Sequence, residues 1–396
     1  MGVRGHHIGH IGPMRLMRLM GLMGPIGLMS SCIREPELHL YDEVNVAWNM
    51  PLIDLNLDVY WDYEIAYGID YDWQAEWWYG WDDTDRSIFG EIGYTEPSVF
   101  NLRRYYTNSE PYAAHTSVLR DVVYGNTFRG RFQWGYWDLL AWNQVQTIDG
   151  VQSLVFDETT SLDEVTARTG PSMVASRYEA PLFTQAFYEP EPLFAAYDRA
   201  EHISEDLEGF TYDAARGVWS KTLKMQLMPV TYIYLTQVIL HNNHGRVTGV
   251  DGTSRLSGMA RSVCLNTGIA GQDAITVYYS CRFKKDCDKD GETVDIIGGR
   301  VMTFGIVGSN PNMVTRADEV NDGHNHYMDV TMLFNNGTEK TMAFDVTDQV
   351  KKRYKGGVIT VELDVDDIEI PQREGGSGFD AVVKDTEDGG TYEFDM

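Results

Sequence analysis

The stretch Thr231 to Leu240 reads TYIYLTQVIL, a nearly continuous run of β-branched and aromatic residues that ends at Asn242, Asn243 and Gly245. Such side chains suit the pleated surface of a strand, and an Asn/Gly cluster is typical of a turn. The stretch therefore predicts a buried strand. The same pattern predicts further strands, of which the last two flank the hairpin signal Asn335-Asn336-Gly337: residues 274–283, 301–307, 328–334 and 341–346.

Strand patterns continue on both sides of this region. Residues 358–366 alternate, with Val361, Leu363 and Val365 on one face and polar side chains on the other. Residues 44–61 and 128–142 also read as strands. Residues 191–208 instead predict a helix, because apolar side chains recur there on one helical stripe (Leu193, Ala196, Tyr197, Ala200, Ile203). The sequence thus predicts a mainly β protein of packed sandwiches, with a short helix in the first.

The composition excludes several classes of protein. The chain has 396 residues, with 59 acidic and 32 basic side chains and a formal net charge of −27. So acidic a chain should be repelled by phosphate backbones, so we expect no nucleic-acid partner. A hydrophobic fraction of 43% allows a sizeable core, and the length suggests two domains. Four cysteines are too few for a scaffold built on disulfides.

Residues 1–31 have the parts of a secretory signal peptide. They carry no acidic side chain, and arginines precede an apolar run from Leu19 to Met29 that is too short to span a bilayer as a helix. Either Met1 or Met14 could serve as the start. Small residues followed by cysteine, Met29-Ser30-Ser31-Cys32, resemble the lipobox of bacterial lipoproteins. We expect cleavage after Ser31, acylation (including palmitate) of Cys32 as the membrane anchor, and a tether over 32–40. The alternative is an ordinary signal peptide with an incidental Cys32.

The usual catalytic and metal-binding signatures are missing. The sequence has no Gly-Lys dipeptide, G-x-S-x-G elbow or H-E-x-x-H pair. Asp286-x-Asp288-x-Asp290-Gly291 imitates the start of an EF-hand, but Ile297 stands where the bidentate Glu should be. A charged hairpin loop is the simpler interpretation. We therefore expect no enzyme activity, no cofactor and no bound metal.

Two further groups of residues have alternative interpretations. Cys281 and Cys287 could close a disulfide across the acidic turn, which would leave Cys264 as a thiol, although the sequence does not decide the pairing. An acidic, aromatic stretch over 61–81 could stack on sugar rings or receive a partner's apolar side chains. Alternatively, these rings cover one end of a sandwich core. The candidate binding residues are Trp61, Trp73, Trp77, Trp78 and Trp81.

Four blocks together carry a resemblance to a known family: RFQWGYWDLLAWN at 131–143, MPVTYIYLTQVIL at 228–240, LSGMARSV at 256–263 and FDVTDQVKKRYKGGVI at 344–359. The chain resembles the fimbrillin-type fimbrial subunits of Bacteroides-type bacteria, in their lipoprotein anchor or accessory branch. The resemblance implies two tandem transthyretin-like Greek-key β-sandwiches, over 41–213 and 214–371, followed by an acidic tail at 372–396. It also implies a non-catalytic protein.

The resemblance further implies an outer-membrane lipoprotein, facing the cell surface, that acts in adhesion as anchor or accessory subunit of a fimbria-like assembly. Its partners would be the membrane, through the lipid on Cys32, and fimbrial subunits that exchange strands with it. Val361, Leu363 and Val365 are candidate strand-exchange residues, and an ordinary core strand is the alternative for them. The alternative function is a carbohydrate-binding surface lipoprotein that recognises glycans through the aromatic stretch 61–81.

Overall fold

The computed structural model describes residues 50–59, 72–145, 153–158, 165–175, 185–310 and 322–372. The predicted leader, tether and nearly all of the acidic tail lie outside these residues, as do Ser31, Cys32 and Trp61. The described residues form twenty strands and three short α-helices. The chain is thus mainly β, as the sequence predicts.

The strands are β1 (Leu52–Val59), β2 (Val99–Thr107), β3 (Ser117–Tyr124), β4 (Thr127–Arg131), β5 (Gly135–Asn143), β6 (Leu154–Asp157), β7 (Thr166–Thr169), β8 (Pro171–Ala175), β9 (Gln185–Tyr188), β10 (Phe194–Ile203), β11 (Thr211–Asp213), β12 (Val218–Pro229), β13 (Tyr232–His241), β14 (Val247–Ala260), β15 (Ser262–Cys264), β16 (Ala274–Lys289), β17 (Glu292–Thr303), β18 (Tyr327–Phe334), β19 (Glu339–Asp345) and β20 (Gly357–Asp364). The helices are α1 (Trp73–Glu76), α2 (Asp83–Phe89) and α3 (Thr347–Lys352), and a 3-10 turn spans Val365–Asp367.

The first sheet has eight strands in the order β3-β2-β5-β10-β12-β1-β4, with β11 beside β12. Its end strands β3 and β4 are consecutive in the chain, separated only by Gly125 and Asn126. Strands at opposite ends of a sheet can be joined by so short a turn only if the sheet curls round until its ends meet. The curled sheet encloses a core that includes Leu55, Phe100 and Trp137.

The second sheet has nine strands, ordered β19-β18-β14-β16-β17-β13-β20, with β9 beside β16 and β8 beside β9. The quoted stretch TYIYLTQVIL forms β13, which is buried at every position from Tyr232 to Leu240. One face of β13 packs into the main core of the second sheet, through Tyr234 and Val238. The other face packs against the residues around Trp73 and Trp77, through Ile233 and Ile239. Burial on both faces explains why this strand reads as a continuous apolar run.

A third core cluster joins the two sheets. It contains Trp142 of the first sheet, Phe304 beyond β17, and residues of the small sheet β15-β7-β6. Some strands lie in the sheet on the other side of residue 213, where the sequence places the domain boundary. Strand β12 follows this residue but belongs to the first sheet, whereas β8 and β9 precede it but belong to the second.

The helix predicted over 191–208 is wrong, because Phe194–Ile203 forms strand β10. The pairing of β10 with β5 shifts register between Asp198 and Glu201, and Ala200 has a φ of 59°. This β-bulge places Ala196 and Ile203, seven positions apart, in the same core. An odd spacing of seven fits two turns of a helix, but a strand reaches it only with a bulge. Among the described residues of this half of the sequence, the short helices are instead α1 and α2.

Candidate functional site

The described tryptophans of the aromatic stretch cover the outer face of the second sheet. Trp73 and Trp77 are each 7% exposed, and Trp78 and Trp81 pack against the same cluster while half-buried. They lie on apolar side chains of three strands: Ile233, Leu235, Ile239, Val294, Ile296, Met302 and Val358. Trp73 and Trp77 are therefore core residues, and their ring faces are not available to stack on a sugar.

Hydrogen bonds fix this aromatic cover to the strands beneath it. Tyr79 N donates to Gln237 Oε1 at 3.2 Å, and Gln237 Nε2 donates to Glu76 O at 2.6 Å. Glycine at 298 permits the approach, because a Cβ there would lie 2.3 Å from the Tyr79 ring. Helix α2 begins with a capping box between Asp82 and Asp85. The cover is thus a built part of the second sheet.

A buried carboxylate completes this attachment. Asp85 is 0% exposed and accepts hydrogen bonds from Tyr79 Oη at 2.9 Å, Arg282 Nη1 at 3.1 Å and Lys284 Nζ at 2.5 Å. Burial and the Asp85 carboxylate raise the pKa of Tyr79. The backbone N–H of Asp85 lowers the pKa of Asp82 to about 2. Complete burial and three donors from two other segments indicate a structural role for Asp85.

The first sheet leaves an open line where its two ends meet, which we call the seam: strand β3, strand β4 and the facing edges between them. Within the described residues, β3 pairs only with β2 and β4 pairs only with β1. Large apolar side chains on β3 are exposed, with Val122 at 50% and Tyr124 at 80%. An unpaired edge with exposed apolar side chains is a template for a further strand.

A buried arginine links the two sides of the seam from below. Arg104 of β2 donates to Asp121 Oδ2 of β3 at 2.8 Å and to the carbonyl of Arg131 in β4 at 3.2 Å. Its guanidinium lies 4.9 Å from the ring centre of Phe132, within the range of a cation–π contact. Arg104 thus links β3 to β4 through its side chain, while the two strands do not pair with each other within the described residues.

The predicted strand-exchange segment lies at the edge of the second sheet. Strand β20 pairs with β13 on one side, and helix α3 covers part of the other side. Gln349 Nε2 donates to Thr360 O at 2.8 Å, and Thr360 N donates to Gln349 Oε1 at 2.9 Å. Val361 and Leu363 pack against the main core of the second sheet, and Val365 is fully buried in the 3-10 turn. All three side chains are therefore part of the core. The edge of β20 is covered by Gln349, which no sequence pattern singles out.

The predicted disulfide between Cys281 and Cys287 is absent, and both are free thiols. They lie on the same strand, β16, opposite Gly299 and Val294. Six positions along a strand separate two Cα atoms by roughly 20 Å, whereas a disulfide needs about 4.4–6.8 Å. The hairpin turn comes at Asp290 and Gly291, beyond both cysteines. Burial raises the pKa of the Cys281 thiol.

The acidic repeat at 286–291 lies at this turn between β16 and β17, so its flanks are strands. Across the described ranges, no group of three or more His, Cys, Asp or Glu side chains could hold a metal ion. In the same part of the chain, no helix is long and apolar enough to cross a membrane.

No family model matches the chain, and no curated protein matches it. Among solved structures it is similar to a candidate adhesin from Bacteroides ovatus, at 14% identity and a TM-score of 0.48, over 82% of this chain and 95% of that one. It is also similar to the fimbrial anchor protein Mfa2 from Porphyromonas gingivalis, at 10% identity and a TM-score of 0.37, over 78% and 90% of the two chains. The tip fimbrial protein Mfa3 of the same organism matches at 8% identity and a TM-score of 0.29, over 74% and 81%. Each of these likenesses is one of fold at low identity.

Proposed function

We propose that the chain is a non-catalytic surface lipoprotein that acts in adhesion, as anchor or accessory subunit of a fimbria-like assembly. The single observation that carries the proposal is the seam, where both facing edges lack a strand partner among the described residues. An extended strand of a fimbrial subunit would add there and close the curled sheet. Main-chain hydrogen bonds would supply affinity, and side chains such as Val122 and Tyr124 would supply specificity.

The location and finer architecture belong to the same proposal. The lipid on Cys32 would hold the protein on the outer membrane, with 32–40 as tether and the two sandwiches facing the cell surface. Each sandwich would have the transthyretin-like Greek-key arrangement, with β12 in the first and with β8 and β9 in the second. Replacement of Cys32 by Ala should release the protein from the membrane fraction, and a variant that stays bound would contradict lipid anchoring.

The seam can be tested with a proline on β3. Gly125 N donates to Ser98 O at 2.8 Å, and antiparallel ladders alternate, so the amide of Val122 points away from β2. Val122→Pro should therefore fold, because proline is tolerated where an edge N–H faces outward, but it should block an added strand. Val122→Thr keeps the amide and the β-branched shape and is the matched control.

The measurement is recovery of fimbrial subunits with the lipidated protein after mild detergent extraction of cells. We expect fimbrial subunits with the native chain and with Val122→Thr, and none with Val122→Pro. Recovery of the native chain only as a monomer would contradict the assembly role. Equal recovery with all three chains would contradict the seam as the contact.

The carbohydrate-binding alternative is weakened for the residues first assigned to it. Trp73 and Trp77 are buried in the cover of the second sheet. Trp78 and Trp81 are half-buried against the same cluster. Four of the five predicted aromatic positions therefore contribute to a core.

A further inference from the structure

A cavity of about 580 Å³ lies where the second sheet splits. Strand β16 pairs with β9 over Thr276–Tyr278 and with β17 over Cys281–Lys289. Tyr279 and Ser280 of β16 lie between these two ladders and pair with neither β9 nor β17. The cavity opens at these two residues. Residues 188–192 form one wall and residues 89–95 another. The volume lies within the usual range of about 300–1,000 Å³ for small-molecule sites.

Aromatic side chains line this cavity. Tyr188 and Tyr278 are direct neighbours in the β9–β16 ladder, and both residues are half-buried and line the cavity. Phe89 and Met302 add apolar surface from the end of helix α2 and from β17. Flat aromatic walls with partly wet edges suit a ligand that has both an apolar face and polar groups.

One polar atom at this cavity is buried without a hydrogen-bond partner, Arg300 Nε. Buried polar atoms are nearly always paired, so the Arg300 guanidinium has unused donor capacity at the wall of the cavity. By contrast, Glu189 Oε2 accepts from Met302 N at 2.9 Å, and the Ser153 hydroxyl bonds to the Glu191 carboxyl. Arg300 is therefore the polar side chain here that can bind a ligand without losing a partner.

Side chains of both charge signs line the cavity. Arg300 lines the cavity together with Glu91, Glu189 and Glu191. An anion would meet these carboxylates, whereas a cation would meet the guanidinium. A neutral ligand with several hydroxyl groups can accept from Arg300 and donate to the carboxylates. Burial raises the pKa of both Glu189 and Glu191, which further reduces attraction for cations.

We propose that this cavity binds a neutral mono- or disaccharide, with Tyr188 and Tyr278 against the sugar ring and Arg300 bonded to its hydroxyl groups. The site is separate from the aromatic stretch 61–81. It also lies in the second sheet, away from the seam, so saccharide binding and strand addition can be lost independently.

The test is saturation-transfer NMR and calorimetry of the full chain with glucose, galactose, mannose, N-acetylglucosamine, maltose, cellobiose and lactose. We expect at least one sugar to bind, with Arg300→Gln and Tyr278→Ala each weakening it about tenfold or more. The matched controls Arg246→Gln and Tyr212→Ala change an arginine and a tyrosine outside the cavity and should bind as the native chain does. Circular dichroism and the unfolding midpoint show whether each variant is folded.

Three results would overturn the proposal. The first is that no sugar of the panel binds to the native chain. The second is that folded Arg300→Gln and Tyr278→Ala both bind like the native chain. The third is that glucose 6-phosphate or glucosamine binds more tightly than glucose, since the site would then be selective for charge.

Discussion

The Asp85 carboxylate lies 2.5 Å from the Lys284 ammonium, although the two residues are 199 positions apart. The carboxylate is completely buried, and the Lys284 side chain is 19% exposed. The contact joins helix α2 to strand β16, which lies in the middle of the second sheet. An early segment of the chain is thereby part of the structure formed by its later half.

Replacement of Asp85 by Asn should destabilise the protein. The change removes the charge that Lys284 and Arg282 face in a buried site, and breaking such a group typically costs about 3 kcal/mol. Urea unfolding followed by tryptophan fluorescence measures the loss. Asp83→Asn is the control, since the Asp83 side chain is 98% exposed and its pair with Arg86 is a surface one. Equal stability of the two variants would contradict a structural role for Asp85.

Arg104 should be equally important to the first sheet. Methionine at this position keeps much of the side-chain volume but leaves Asp121 and the Arg131 carbonyl without their shared donor. We expect a loss of about 2–3 kcal/mol, at the lower end for buried pairs because Asp121 is 26% exposed. Hydrogen exchange should rise in β3 and β4 together, because Arg104 bonds to both strands.

The control for this change is Arg168→Met. Arg168 pairs with Asp157, and both side chains are 44% exposed, so the loss should stay below about 1 kcal/mol. If Arg104→Met raises hydrogen exchange in β3 but not in β4, the contact of Arg104 with both strands does not stabilise the seam.

Some of this fold could be predicted from local sequence, and the rest could not. The β13 run and the hairpin at Asn335-Asn336-Gly337 were predictable, because burial and turn chemistry act there over a few neighbouring residues. The actual strands at that hairpin are Tyr327–Phe334 and Glu339–Asp345. The bulge in β10 was not predictable, since Asp138 of another strand holds it by accepting from Ala200 N at 2.6 Å.

The candidate sites show the same division. Tryptophans suggest a binding surface by their type, but their burial depends on strands that lie more than a hundred positions later in the chain. The seam depends on which strands pair, and the sheet split depends on β9 joining β16 in parallel. Sequence periodicity describes one segment at a time and carries no information on such partners.

Loss of the Gln349 side chain should uncover the edge of β20. Gln349→Ala removes two hydrogen bonds to the Thr360 backbone, and we expect a loss of about 1–2 kcal/mol. The exposed edge should also favour self-association. Sedimentation at several concentrations and exchange of the Thr360 amide measure both effects. Gln349→Glu keeps the acceptor but not the donor, so the Thr360 amide should stay protected. Rapid exchange in both variants would contradict the edge contact.

Asp329 should make the stability depend on pH. Its side chain is 5% exposed beside Arg255, and burial raises its pKa from 3.8 to about 6. Between these values the folded state binds more protons than the unfolded state, so the stability from this group falls as pH rises through about 4 to 6. The shift corresponds to about 3 kcal/mol at most.

Urea unfolding of the native chain and Asp329→Asn between about pH 4 and 7 checks this dependence. The native chain should lose stability relative to the variant as pH rises, because the variant has no titrating group at that position. A relative gain with rising pH would mean that the pair with Arg255 outweighs burial.

The two cysteines of β16 should react very differently with a thiol reagent. Cys281 is 3% exposed and burial raises its pKa, so it forms little thiolate and should stay unmodified by iodoacetamide until the protein unfolds. Cys287 is only half-buried, so it should react slowly in the native protein. Trypsin cuts after Arg282, Lys284 and Lys285, between the two residues, so mass spectrometry of the peptides reports on each thiol separately. Two linked peptides in the unreduced digest would show a disulfide, and with it a β16 that is not extended from Cys281 to Cys287.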